Sequence, residues 1–172
     1  MRHVMAVLAL SASLAAPAVW AADDPDASFY KQAAEAGIAE VSAGQQALQK
    51  ADNQKVKDFG QKMVSDHTKA NDELKQLAAT KNVKLPTTPS VGEMGEKTKL
   101  DVLSGGAYDK SYIEGQIKDH EHVIALFRKE ANSGQDPDAR AWAKQSLPML
   151  EEHLKMARQI AAENGYGRAN GR

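Results

Sequence analysis

Apolar residues recur every three or four positions along four stretches of the chain, the spacing that places them on one face of an α-helix. Turn-forming residues separate the stretches, and Asp136 followed by Pro137 is a typical helix start. Asp52 is the expected N-cap of the second helix. Four long helices predict an all-α fold, a four-helix bundle. The predicted helices cover about residues 27–50, 53–80, 108–132 and 137–163.

The connection between the second and third helices, residues 81–107, is much longer than the other two. Such a length is unusual in a compact domain unless the connection crosses the structure. It therefore predicts a crossover that lets helices two and three run in the same direction, as in ferritin-like folds. Residues 94–103 can form a short fifth helix within the connection, and Ser104-Gly105-Gly106 is expected to end it.

Polar residues interrupt the apolar seams near the middle of each predicted helix: Glu40, His67, His120 and His153. Each lies within three positions of its helix midpoint, so the four differ in height by at most about 5 Å. They can therefore meet in one layer of the bundle. Three imidazoles and a carboxylate suit a zinc, iron or manganese ion.

A second interpretation of the same layer is structural. The histidines and Glu40 can form a buried hydrogen-bonded layer that fixes the register of the helices, with Glu40 accepting from a histidine. Asp66 and Asp119 each precede a histidine, and neighbours on a helix point about 100° apart, so we expect them to support the site or lie on the surface. His122 is expected to face solvent.

A ferritin-type di-iron site is less consistent with the sequence. That site requires Glu-x-x-His on two of the helices. The residues three positions before the candidate histidines are instead Val64, Ile117 and Leu150.

The N-terminus has the pattern of a secretory signal peptide: a short basic start, an apolar run over residues 4–19 and small residues at a cleavage position after Ala21. Ala16-Pro17-Ala18 is a second candidate for the cleavage position. The run is shorter than the ~20 residues that span a bilayer, and no later run is longer. We expect a periplasmic protein with a mature domain over residues 22–163, no transmembrane segment in it, and a disordered tail over 164–172.

Composition excludes several classes of function. The 22 Lys and Arg residues balance 23 Asp and Glu residues, which gives a formal net charge of −1 and no generally basic surface for nucleic acid. The chain has no cysteine, so disulfides, thiol nucleophiles and cysteine-ligated zinc are excluded.

Several short motifs stand out along the chain: Ala-Gly-Ile-Ala-Glu-Val (36–41), Lys-Asp-Phe-Gly-Gln-Lys-Met-Val-Ser-Asp-His (57–67), Leu-Ser-Gly-Gly-Ala-Tyr-Asp (103–109), Asp-His-Glu-His (119–122) and Leu-Pro-Met-Leu-Glu-Glu-His-Leu (147–154). Together they resemble the bacterial exported family known as domain of unknown function 4142. The resemblance covers about residues 27–161 and implies an exported, ferritin-like helical protein, sometimes labelled an outer-membrane protein, with no established activity. Ala36-Gly37 stands where the family often has two glycines.

Three functions remain open at this point. The first is a periplasmic bundle that binds one metal ion through Glu40, His67, His120 and His153. The second is a non-catalytic envelope interaction or stress-related structural module, with an envelope protein as its partner, in which the polar layer only fixes the fold. The third is a metal-dependent oxidase. The sequence offers no set of catalytic residues, which favours a non-enzymatic role.

Overall fold

The computed structural model describes residues 25–167, so the predicted signal peptide and residues 168–172 lie outside the described part of the chain. The described residues contain five helices and no strand, which confirms the all-α class. None of these helices combines the length and the apolar character that crossing a membrane requires. The helices are α1 (Pro25–Lys50), α2 (Gln54–Thr80), α3 (Val91–Asp101), α4 (Gly105–Ser133) and α5 (Pro137–Asn164).

Helices α1 and α2 pack against each other as one hairpin, α4 and α5 form a second, and the two hairpins join into a bundle. The beginnings of α2 and α4 lie at the same end, because the backbone N–H groups of Asp52 and Asn53 donate to the Asp109 carboxylate. At the other end, Lys81 after α2 contacts Asp136 before α5. Helices α2 and α4 therefore run in the same direction.

The connecting segment differs in detail from the prediction. The short helix α3 begins at Val91, where Ser90 and Glu93 form a capping box, and it contains no buried residue. Gly105, expected in the turn that ends this helix, instead begins α4. It has a φ of 59°, and a Cβ there would lie 2.7 Å from Asp52 Oδ2, so both backbone conformation and space favour glycine.

The N-cap of α2 is Asn53 rather than Asp52. The Asn53 side chain accepts a hydrogen bond of 2.9 Å from the backbone N–H of Lys55. Asp52 lies one residue too early for this geometry, and its backbone N–H is held by Asp109. The prediction was therefore wrong by one residue, a normal error for a helix end.

Glycines allow α1 and α2 to approach each other closely. A Cβ added at Gly44 would lie 2.7 Å from the backbone oxygen of Gly60, and one added at Gly37 would lie 1.9 Å from Asn71 Oδ1. Close approach of the α2 backbone therefore explains Gly44, whereas at Gly37 the Asn71 side chain occupies the space that a Cβ would need.

A polar layer divides the apolar core into two clusters. On each of the four long helices, the candidate metal-site residue lies between the segments that supply the two clusters. The first cluster includes Phe29, Tyr30, Leu74, Phe127, Trp142 and Leu150. The second includes Val56, Phe59, Met63, Tyr108, Tyr112, Ile113 and Ile160.

The C-terminal boundary lies later than the sequence suggests. Asn164 is the last residue of α5, Gly165 ends the helix in the left-handed conformation, and Tyr166 packs against the second apolar cluster. The first residues of the predicted tail, 164–167, are therefore part of the folded domain.

Candidate metal centre

The three predicted histidines come together in the middle of the bundle. His67, His120 and His153 are 6%, 1% and 0% exposed, and their ring centroids are 5.3 to 5.9 Å apart. One ring nitrogen of each histidine lies within 4.8 Å of those of the other two. The structure thus places side chains from α2, α4 and α5 at one level, where a single ion could contact all three.

The ring of His120 is oriented by its own helix. Its Nδ1 lies 2.9 Å from the backbone oxygen of Gln116, one turn earlier in α4. Because a carbonyl only accepts, Nδ1 carries the proton and donates, which leaves a lone pair on Nε2. His120 Nε2 is buried and has no hydrogen-bond partner in the described part of the chain.

The ring of His153 is oriented by a neighbouring helix. Its Nε2 lies 2.8 Å from Asp66 Oδ2, and the same carboxylate oxygen pairs with Lys62 at 3.0 Å. The carboxylate is the acceptor, so His153 Nδ1 keeps its lone pair and finds no partner within residues 25–167. A carboxylate or carbonyl behind the ring is the usual support of a metal-ligating histidine. Asp66 therefore lies behind the His153 ring, which is one of the two positions expected for it from the sequence.

His67 completes the group. Its Nε2 is buried and has no hydrogen-bond partner among the described residues. Burial lowers the pKa of His67 well below its ordinary value, and the neighbouring His120 and His153 lower it further. Burial also lowers the pKa of His120 to about 4 and that of His153 below its ordinary value. At neutral pH the cluster is therefore three neutral imidazoles, the form that binds metal ions.

Glu40 lies behind His120 rather than among the converging nitrogens. Its Oε2 accepts a hydrogen bond of 2.7 Å from Gln116 Nε2, and its Oε1 lies 3.8 Å from His120 Nδ1. That nitrogen is the one bonded to the Gln116 carbonyl, on the opposite side of the ring from Nε2. Burial raises the pKa of Glu40 to about 7.

Three other polar residues of α4 lie near the level of the histidines. Asp119 and His122 are both exposed, as predicted for His122. Gln116 was missed, although it is 3% exposed and connects Glu40 with His120. Its position in the sequence, one helical turn before His120, could have identified it as a residue of the polar layer.

Comparison with known proteins identifies a solved structure with a similar fold and a family model that matches the sequence. A crystal structure from Streptomyces coelicolor, described as a predicted secreted protein DUF305, resembles this chain with a TM-score of 0.72 and 15% identity. It covers 88% of this chain and 100% of its own, and at this identity the likeness shows the fold alone. No curated protein matches the chain. A family model described as Domain of unknown function (DUF4142) matches residues 11–160, and the chain belongs to that family.

Proposed function

We propose that this protein binds one transition-metal ion through His67, His120 and His153. The observation that carries the proposal is the convergence, within 4.8 Å, of ring nitrogens from three buried histidines. Buried polar atoms normally find hydrogen-bond partners, so the unpartnered nitrogen on each ring calls for an explanation within the described structure. A cation placed between the rings would accept all three lone pairs.

The donor set limits the choice of metal. A tetrahedral zinc ion with Zn–N distances of about 2.0–2.1 Å would separate its nitrogens by about 3.3 Å. The ring nitrogens now lie within 4.8 Å of one another, so they need to close by at most about 1.5 Å. Three imidazoles without a carboxylate favour zinc or iron over manganese, which prefers oxygen ligands. In this proposal Glu40 supports His120 instead of acting as the fourth ligand.

We further propose that the bundle is ferritin-like and exported to the periplasm as a domain over residues 22–163. The parallel course of α2 and α4 across a long connection supports the topology. The N-terminal pattern of residues 1–21 supports export. The fold likeness to a protein described as a predicted secreted protein is consistent with it.

A second function has its own supporting observation. The hydrogen bond from Gln116 to Glu40 and the separation of the core into two apolar clusters suit a layer that only fixes helix register. In that case the protein is a structural or interaction module of the envelope, with an envelope protein as its partner, and binds no metal.

Metal binding by chelator-treated protein without a histidine tag separates the two functions. We expect zinc or ferrous iron to bind at one ion per chain and to raise the melting temperature. The stabilisation should reach about 2.7 kcal/mol when free metal is a hundred times its dissociation constant.

His67→Ala and His120→Ala should lose most of this shift, whereas His122→Ala is the matched control because His122 is exposed. Elemental analysis of the untreated protein gives the metal and its stoichiometry. Equal shifts in all four proteins, or no bound metal, would leave the register layer as the function.

A further inference from the structure

A small cavity lies beside the histidine cluster. It has a volume of about 20 Å³, and its walls include His67, His120 and Glu40. Most of the remaining wall is apolar and includes Phe127, Trp142 and other core residues. This volume holds about one water molecule.

A much larger groove runs on the other side of the same wall. It has a volume of about 910 Å³ and lies between α1, α4 and the segment that contains α3. Three residues line both the groove and the cavity: Ala36, Glu40 and Val123. These side chains separate the cavity from the groove, and we call them the partition.

We propose that the ion held by the three histidines takes its fourth ligand from solution, as a molecule of one or two heavy atoms that enters the cavity from the groove. The inference rests on the proposed metal site. Three protein ligands leave a position open on a four-coordinate ion, the arrangement of reactive rather than purely structural metal sites. The cavity lies where His67 and His120 meet, so it can receive that ligand.

The size of the cavity and the width of the partition determine which molecules can reach the ion. A molecule that enters from the groove passes between Ala36 on α1 and Val123 on α4, beside the Glu40 carboxyl group. The small volume and the apolar walls admit a water-sized molecule or a neutral diatomic and exclude most metabolites. A ligand of this class reaches the ion without unfolding the bundle.

Nitric oxide binding to the anaerobic, Fe(II)-loaded protein tests the proposal. A ferrous ion with an open position forms a paramagnetic nitrosyl adduct that absorption and electron paramagnetic resonance both detect. We expect saturable adduct formation at one nitric oxide per iron, and stopped-flow absorption gives its rate.

Two leucine variants on α1 locate the route. Ala36 lines both the cavity and the groove, whereas Ala39 lines only the groove. Leucine at position 36 adds bulk to the partition between the groove and the cavity, so Ala36→Leu should slow the association about tenfold or more. Ala39→Leu should react at the wild-type rate. Val123→Ala, which widens the partition, should react faster and provides a second test if Ala36→Leu folds poorly.

The experiments distinguish failure of the metal site from failure of the open coordination position and from failure of the entry route. If Fe(II) does not bind to the wild type and removal of the histidines changes nothing, both the metal site and this inference are overturned. If Fe(II) binds to the histidines but nitric oxide forms no adduct, the metal site stands and the open position is overturned. Equal association rates in wild type, Ala36→Leu and Val123→Ala would overturn the route through the partition.

Discussion

Replacing His67 by leucine is expected to stabilise the metal-free protein, the reverse of what most core substitutions do. His67 is 6% exposed, and its Nε2 has no hydrogen-bond partner among the described residues. A buried polar group without a partner costs about 1–3 kcal/mol. Leucine fills the site with an apolar side chain between the two apolar clusters. The free energy of unfolding should therefore rise by about 1–3 kcal/mol.

Urea unfolding in the presence of a chelator measures this change. The dependence of the free energy on urea should be the same in both proteins, so that a shifted midpoint reports stability alone. His122→Leu is the matched control, since His122 is exposed and its replacement should change stability by less than about 0.5 kcal/mol. With saturating metal the order should reverse, because only the wild type retains the three ligands.

A fall of about 1 kcal/mol or more in metal-free His67→Leu would refute this reasoning. His67→Met provides a flexible side chain that adapts to the same space, so a fall in both variants cannot be assigned to poor packing. That outcome would mean that His67 stabilises the fold through polar contacts, as the register-layer function requires.

Three further predictions test the electrostatics, the support of the cluster and export. The pKa values of the three buried histidines are lowered in the folded protein, so as the pH falls from 7 to 5 these histidines gain protons more readily in the unfolded chain. This difference destabilises the metal-free fold. Glu40, with its pKa raised to about 7, gains a proton in the folded state and offsets this loss. Glu40→Gln should therefore lose about 2 kcal/mol more than wild type over this range, measured by urea unfolding at each pH. Asp66→Asn should weaken metal binding about 10–100-fold, measured by competition with a chelating dye, because the carboxylate that orients His153 is gone. Exported protein should begin at Ala22, and an intact mass that includes residues 1–21 would contradict the signal-peptide interpretation.

The height of the histidine layer could be predicted because it depends on spacing along each helix. Apolar seams fixed which residues face inward, and four helices of similar length placed His67, His120 and His153 near their midpoints. The long connection predicted the shared direction of α2 and α4, which the Asp109 hydrogen bonds show. These features follow from periodicity and length, and both are properties of the sequence.

The position of Glu40 could not be predicted in the same way. The helical repeat gives its height, but its direction depends on how α1 rotates against α4 and on the rotamer that Gln116 holds. The structure places Glu40 Oε1 3.8 Å from His120 Nδ1, on the opposite side of that ring from Nε2. The N-cap of α2 was also difficult to predict because a contact between helices affects it: the Asp109 carboxylate of α4 holds the Asp52 backbone N–H.

The distribution of hydrogen bonds in the polar layer favours an ion over a register layer. Three hydrogen bonds join groups behind the cluster: Asp66 with His153, Gln116 Nε2 with Glu40, and the Gln116 carbonyl with His120. Gln116 Oε1 is buried and has no hydrogen-bond partner among the described residues. In the described structure, the unpaired imidazole nitrogens of the layer belong to the three rings that converge. A layer that served only to fix register would gain most by pairing these central atoms, because each leaves a buried lone pair unsatisfied. The rings of His120 and His153 are instead each held by a partner on one nitrogen, which leaves the other nitrogen free to bind a cation.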